Sequence, residues 1–431
     1  MYAAAVPFAS GSAELPHSDV MIVGAGAAGF ATAIFVKRDL PTNLVNLLDG
    51  AAKPGAKILV SGGGRCNVTN TVVGENDFWG GKRSLIRRVL QRYTVGDTIQ
   101  FFRELGVPLH EEPGGKLFPD SNRARDVLDA LARAAQQHGV TLMTGARVHG
   151  VSRDGDRFRV ATSRGDLTSR AIVLATGGRS LPKTGSDGGG YELARALGHT
   201  LVPQAPALAP LLLDANTPHS IHARLSGVSV DVELTAWIDG AVAVRLAGAM
   251  LWTHFGVSGP VAMNMSRHWV RARDDGRDVK LTAHFVDGRT FDQLETHVIA
   301  AARERPRSSM RGLLTAILPD ALALAILEAL SIPADLTLAS LSRDDRRRVV
   351  HALTAWPLPV TDTRGYNFAE VTAGGVPLTE IDPSTMESRV CPGLFLVGEI
   401  LDVDGRIGGF NFQWAWSSAS AAARGIAAAL G

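Results

Sequence analysis

Short apolar runs bounded by glycine alternate with amphipathic stretches in the first part of the chain. Residues 20–49 carry the run Val20-Met21-Ile22-Val23, a glycine-rich turn, an alanine-rich stretch to Arg38, and a second apolar run from Leu44 that ends on Asp49. Two short apolar runs separated by a turn and one helix length predict a parallel β-α-β unit. A basic, glycine-rich loop spans 53–70, and a helical stretch is expected over about 84–105. A second helix is expected over 121–139: Ser121 or Asn122 caps it, Val127, Leu128 and Leu131 form its apolar stripe, and Gly139 stops it.

The period then changes. Residues 148–175 read as short alternating strands with a turn at Asp154-Gly155-Asp156, feeding the buried run Ala171–Ala175. Alternation persists over 225–290, as in Val228, Val230, Val232 and Leu234, whereas 291–355 turns helical and rich in Leu, Ala and Arg. The last forty or so residues return to the first pattern, with a buried strand at 394–397, a glycine-rich loop and an Ala/Ser-rich helix. The fold class expected is α/β, a discontinuous Rossmann-like domain with an inserted β-rich, barrel-like domain and a small helical subdomain. The boundaries are a tail over 1–19, the nucleotide-binding domain over 20–200 and 370–431, the β-rich insert over 201–290 and 356–369, and the helical subdomain over 291–355.

Composition narrows the picture. The 431 residues are 45% hydrophobic and 20% charged, which excludes a disordered chain. The formal net charge of +2 is too balanced to diagnose nucleic-acid binding by itself. Two cysteines, Cys66 and Cys391, form no disulfide framework and no CxxC spacing, so neither a metal site nor an oxidising compartment is expected. The first 18 residues hold no Lys or Arg, so a secretory n-region is missing, and the apolar stretch 313–330 is interrupted by Pro319, Asp320 and Glu328. A cytoplasmic protein without a membrane span is expected.

Four clusters carry candidate chemistry. Gly24, Gly26 and Gly29 suit a tight turn, a close pyrophosphate and helix-on-strand packing, and Asp49 closes the second strand where a carboxylate can take a ribose. Lys57 to Asn67 sets three glycines beside a cation, a thiol and an amide, a loop able to wrap an anionic or electron-rich cofactor edge. Thr176-Gly177-Gly178 closes the buried strand after the meander. Gly398-Glu399 ends the last strand, and Gly408-Gly409-Phe410-Asn411 opens the last helix, whose dipole faces developing negative charge. These residues alone do not separate FAD from NAD.

In this order the clusters resemble the FAD-binding domain of the glutathione-reductase-like flavoproteins. More narrowly, KILVSGGGRCNVTN, THFGVSGP, VTAGGV with the downstream TMESRV, and GLFLVGEILDVDGRIGGFNFQWAWSS resemble the BaiN/RdsA family of NAD(P)/FAD-dependent oxidoreductases, over about 20–427. The resemblance implies an FAD held by Gly24, Gly26, Gly29 and Asp49 at its ADP end and by Glu399 near the ribityl chain. Ser61, Gly62, Gly63, Gly64, Arg65, Cys66 and Asn67, with Gly408, Gly409, Phe410 and Asn411, would flank the isoalloxazine. Ala27, Ala28, Lys57, Val148, Thr176, Gly177 and Gly398 complete the candidate cofactor set. Phe410 departs from the family, which more often carries Tyr there. No second complete GxGxxG occurs, so NAD(P)H is expected as electron donor without a domain of its own.

The family association implies hydride transfer from reduced flavin to an activated C=C bond, in a small enone or in a uridine of ribosomal RNA. Cys66 is the candidate acid for the α-carbon and Arg65 the candidate stabiliser of enolate charge; the alternative is that Cys66 only packs on the flavin. For an RNA substrate, Arg343, Arg346, Arg347 and Arg348, with Arg87, Arg88 and Arg92, could bind phosphate, although mixed-charge helix faces are usually just solvated. His254, among Trp252, Phe255 and Gly256, is a candidate substrate contact or a core residue. Two other readings stay open: an FAD oxidase or dehydrogenase of a small amine or alcohol, and a non-catalytic flavoprotein assisting RNA or ribosome assembly.

Overall fold

The structure, a computed structural model, describes residues 15–217, 220–286 and 288–431; most of the expected N-terminal tail lies outside them. The first strand, His17–Val23, begins before Val20, because its register with the strand Gly165–Leu174 runs back to His17 opposite Thr168. Six strands of a seven-stranded sheet follow the order Thr141–Thr144, Val45–Asp49, His17–Val23, Gly165–Leu174, Arg157–Thr162, Val148–Asp154, and the seventh, Leu394–Leu396, joins off this path beside Gly165–Leu174. Its first four strands are parallel. The strand Gly165–Leu174 pairs antiparallel with the meander through its first half and parallel with Leu394–Leu396 through its second.

Helix Ala27–Asp39 packs on the last helix, Phe410–Leu430. Both helices are rich in small buried residues, among them Ala31 and Ala33 in the first and Ala419, Ala422 and Ala423 in the last, which lets the two backbones approach closely. Between them and the sheet lies one continuous apolar core.

The expected helix over 84–105 is two, Arg83–Arg92 and Val95–Glu104, broken where Thr94 caps the second by accepting from the Asp97 N–H at 3.3 Å. The helix expected from 121 begins at Ala124 with no side-chain cap, since Asn122 takes a left-handed φ of 53° in the turn before it.

The chain leaves this module along Val202–Ala207 and returns along Val371–Gly375, and the two strands pair with each other. Between them lies a second seven-stranded sheet, antiparallel, ordered Trp356–Leu358, Val279–His284, Ser229–Ile238, Ala241–Thr253, Gly256–Ser258, Leu211–Leu213, Val360–Thr363. Its two edge strands are consecutive in sequence, separated by Pro359 alone, so the sheet must curl until its edges nearly meet. One stretch read as alternating is helical: Pro260–Asp274, begun by proline in the first turn, buries Val261, Met265 and Trp269 on the sheet. The helices between 291 and 354 share one apolar core with this sheet. The architecture is α/β, a Rossmann-type domain with additional antiparallel sheets.

Candidate active site

A cavity of about 1050 Å3 opens along the C-terminal ends of the parallel strands, where the glycine-rich turns converge. It exceeds the size of drug-sized sites and suits a dinucleotide. Gly24, Gly26, Ala27, Ala28, Asp49, Lys57, Ser61, Gly62, Gly63, Arg65, Asn67, Val148, Thr176, Gly177, Gly398, Glu399, Gly408, Gly409 and Asn411 all line it. Gly29, Gly64, Cys66 and Phe410 do not.

The first turn shows why its glycines are needed. Gly24 adopts φ 104°, and a Cβ there would stand 2.5 Å from the Ala175 carbonyl oxygen; one on Gly29 would stand 1.8 Å from the Gly24 oxygen. Gly29 therefore packs helix on turn instead of facing a ligand. A Cβ on Gly26 would meet nothing within 4 Å, because that position faces the cavity. The helix behind it starts without a side-chain cap, leaving its first N–H groups directed toward the space. Asp49 holds the turn in place: its carboxylate accepts from the Ala25 N–H at 2.8 Å and the Ala51 N–H at 2.7 Å.

Lys57 pairs with Glu399 across the cavity and donates to Ser180 Oγ at 2.6 Å. Glu399 also accepts from Ser180 Oγ at 2.8 Å and from the Thr372 N–H at 2.9 Å. At the far end, loops 61–67 and 408–411 are locked together. Asn67 donates through its amide to the Thr69 carbonyl at 2.8 Å and accepts from the Gly409 N–H at 3.0 Å. Asn70 Nδ2 donates to the Gly408 carbonyl at 3.1 Å. Gly409 has φ 95° and no room for a Cβ, which would lie 2.4 Å from the Thr69 oxygen. Asn411 uses its amide on Gly405, accepting from its N–H at 2.7 Å.

Cys66 is turned inward. It takes φ 62°, is fully buried in the Rossmann core, and its thiol is pushed up to about 12 by burial, an effect only partly offset by Ser61. Arg65 does reach the wall, but its guanidinium is 2.5 Å from Glu112 and lies over the Phe118 ring at 4.1 Å. Phe410 is buried against Phe78, and Arg406 covers its ring. His254 is exposed in a hairpin turn, edge-on to Phe255, away from the cavity. In the two arginine clusters, Arg87 pairs with Glu75, Arg346 with Glu295 and Arg348 with Asp345, while Arg347 lies over Phe291.

Residues absent from the sequence reading also line the space: Lys116 and Phe118 on one strand, and Asn367, Phe368 and Glu370 on the segment returning from the insert. Val60 and Phe368, both exposed, place apolar surface at the cavity. Lys116 and Phe118 sit in a short strand without a motif, and 367–370 precedes VTAGGV, so only that proximity pointed to them.

The donor set fits a dinucleotide such as FAD. Two cavity-lining hydroxyls, Thr176 Oγ1 and Ser186 Oγ, are buried with no partner among the described residues, and Gly26 leaves its face open. The HI0933-like protein Rossmann domain matches residues 18–425. The chain belongs to this HI0933-like family. It is 32% identical over 406 residues to the 3-dehydro-bile acid delta(4,6)-reductase of Clostridium scindens, covering 94% of this chain and 98% of that protein. It is 35% identical over 413 residues to the ribosomal RNA dihydrouridine synthase of Escherichia coli, covering 95% and 98%. FrdA of E. coli quinol fumarate reductase superposes with a TM-score of 0.51 at 16% identity, over 96% of this chain and 71% of that one, which shows a shared fold. As a member of the HI0933-like family, the protein is an FAD-dependent oxidoreductase. No helix among the described residues is long and apolar enough to cross a membrane, and no cluster of His, Cys, Asp or Glu among them could hold a metal ion.

Proposed function

We propose that the protein saturates a C=C bond conjugated to a carbonyl, in an enone or in a uridine of RNA, with NAD(P)H as the source of electrons. One observation carries this reading: two relatives, each more than 30% identical across nearly the whole chain, are named for different substrates that share this one functional group. The 4,6-double bonds of a 3-oxo bile acid and the C5–C6 bond of uridine both lie in conjugation with a carbonyl.

Bound FAD would supply the hydride for the β-carbon of such an acceptor. The chain does the rest. Gly26 and the uncapped helix start would hold the pyrophosphate, and Asp49, at the end of the second strand, would take the ribose. Glu399, fixed by Lys57, Ser180 and the Thr372 N–H, would hold the polyol chain. The first turn of helix Phe410–Leu430 points its positive dipole at the cavity end where loops 61–67 and 408–411 meet. Val60 and Phe368, exposed at the cavity, would give a flat conjugated acceptor apolar surface to contact.

The test is product analysis. Purified protein with FAD and NADH or NADPH is given ribosomal RNA lacking dihydrouridine or a steroid-type enone. The expected result is a product heavier by two hydrogens from one of these acceptors; no product from either contradicts the reading.

A further inference from the structure

Four carboxylates line the cavity among the described residues: Asp49, Asp187, Glu370 and Glu399. Three are engaged. Asp49 accepts two backbone N–H groups, Asp187 pairs with Arg147 at 2.7 Å, and Glu399 pairs with Lys57. The Glu370 carboxylate has no hydrogen bond and no ion pair among the described residues, although its backbone is fixed: its N–H donates to the Leu208 carbonyl at 3.1 Å, and its own carbonyl accepts from Ser180 Oγ at 3.3 Å.

We propose that Glu370 is the catalytic acid of this reduction, its carboxyl giving the proton that the acceptor's α-carbon takes up. The inference rests on the function proposed above. Glu370 ends the segment returning from the insert, immediately before strand Val371–Gly375, and faces the cavity with Lys57 and Lys116 as the cations that act on it. Lys116 stands opposite Asn70 in the strand pairing, and Asn70 holds the Gly408 carbonyl, so this wall adjoins the end where the glycine loops meet. The Glu370 side chain is open at the cavity wall, and desolvation by the protein around it raises its carboxyl above the usual carboxylate range, with Lys57 and Lys116 opposing. A carboxyl with a raised pKa keeps its proton to higher pH than an ordinary glutamate and can donate it; Cys66, the acid expected from sequence, is not on the wall.

The step balances. The acceptor's C=C π bond breaks as hydride, two electrons and one proton, arrives at the β-carbon from the reduced cofactor. The resulting enolate takes a proton from the Glu370 O–H, forming the α-C–H bond and leaving a carboxylate that water reprotonates.

The test compares wild type with E370Q and E370D, each checked for retained FAD by its absorbance. E370Q should lose about 100-fold or more in turnover, the span of a general acid, while NAD(P)H still reduces its flavin; E370D should recover part of the loss. Wild-type turnover should fall as pH rises through the carboxyl's raised pKa, and that limb should vanish in E370Q. Independently of activity, the infrared carbonyl band of a neutral carboxyl should persist in wild type above the ordinary glutamate range and be absent from E370Q. Full turnover in E370Q, or a Glu370 that ionises in or below the ordinary range, overturns the inference while the functional reading stands. A wild type inert toward both acceptors defeats that reading and this inference with it.

Discussion

Two of the ion pairs that tie the C-terminal glycine-rich segment to the rest of the molecule are built on opposite principles. Lys57–Glu399 is partly open and faces the cavity. Arg267–Asp404, joining the insert helix Pro260–Asp274 to the loop before Gly408, has side-chain exposures of 1% and 0%. Arg267 also donates to the Asp404 carbonyl at 3.0 Å and the Gly405 carbonyl at 2.9 Å, and its guanidinium lies over Trp79 at 4.2 Å. Burial alone would raise the Asp404 carboxyl and lower the Arg267 guanidinium; their mutual attraction opposes both. The buried pair fixes where two domains meet, whereas the open pair leaves charge available to a ligand.

Removing one partner should therefore cost very differently at the two sites. Arg267→Met leaves Asp404 buried and uncompensated, and denaturant unfolding should show a loss of about 3–5 kcal/mol. Adding Asp404→Leu should recover part of it, and a single-variant loss below about 1 kcal/mol would erase the contrast.

His268 sharpens the picture through pH. Burial, reinforced by Arg267 and Arg271, lowers it from 6.5 to about 4. The unfolded chain then binds the proton first, so stability should fall as pH drops from 6.5 toward 4, by about 2–3 kcal/mol. His268→Asn should flatten that acid limb in unfolding measured across pH. Cys66 gives the opposite sign: with its thiol raised from 9.0 to about 12, stability should fall as pH climbs between those values, where the unfolded chain ionises first.

Cys66→Ser should keep FAD and turnover, lower stability by about 1–2 kcal/mol for a buried hydroxyl in place of a thiol, and remove a thiol that resists alkylation until the chain unfolds. Loss of turnover with FAD retained would restore it as a catalytic candidate. Lys57→Met should change stability least, by about 1 kcal/mol or less, yet weaken FAD binding about tenfold in a fluorescence titration, equivalent to about 1.4 kcal/mol.

What sequence could show follows from the range of the forces involved. The turn at Gly24–Gly29, the strand ends at Asp49, Thr176 and Glu399, and the Gly408–Gly409 loop are local constraints of backbone geometry, and local constraints leave motifs. Glu370 and Lys116 meet only because the insert returns its chain beside Val202–Ala207, a pairing across more than 160 residues that no window can reveal. Cys66 lies off the cavity wall although its motif neighbours line it, because its own left-handed backbone turns the side chain inward, a detail no motif records. Helix Pro260–Asp274 was hidden by the alternating apolar residues around it, though Gly259-Pro260 is a helix-start signal.

The central claim is an FAD site that passes electrons to a conjugated C=C bond, and anaerobic reduction of the purified protein tests it most directly. NADH or NADPH should bleach the flavin band, and ribosomal RNA containing the uridine, or a steroid-type enone, should restore it without oxygen. A band that neither nicotinamide bleaches, or that returns only when air is admitted, would contradict the account.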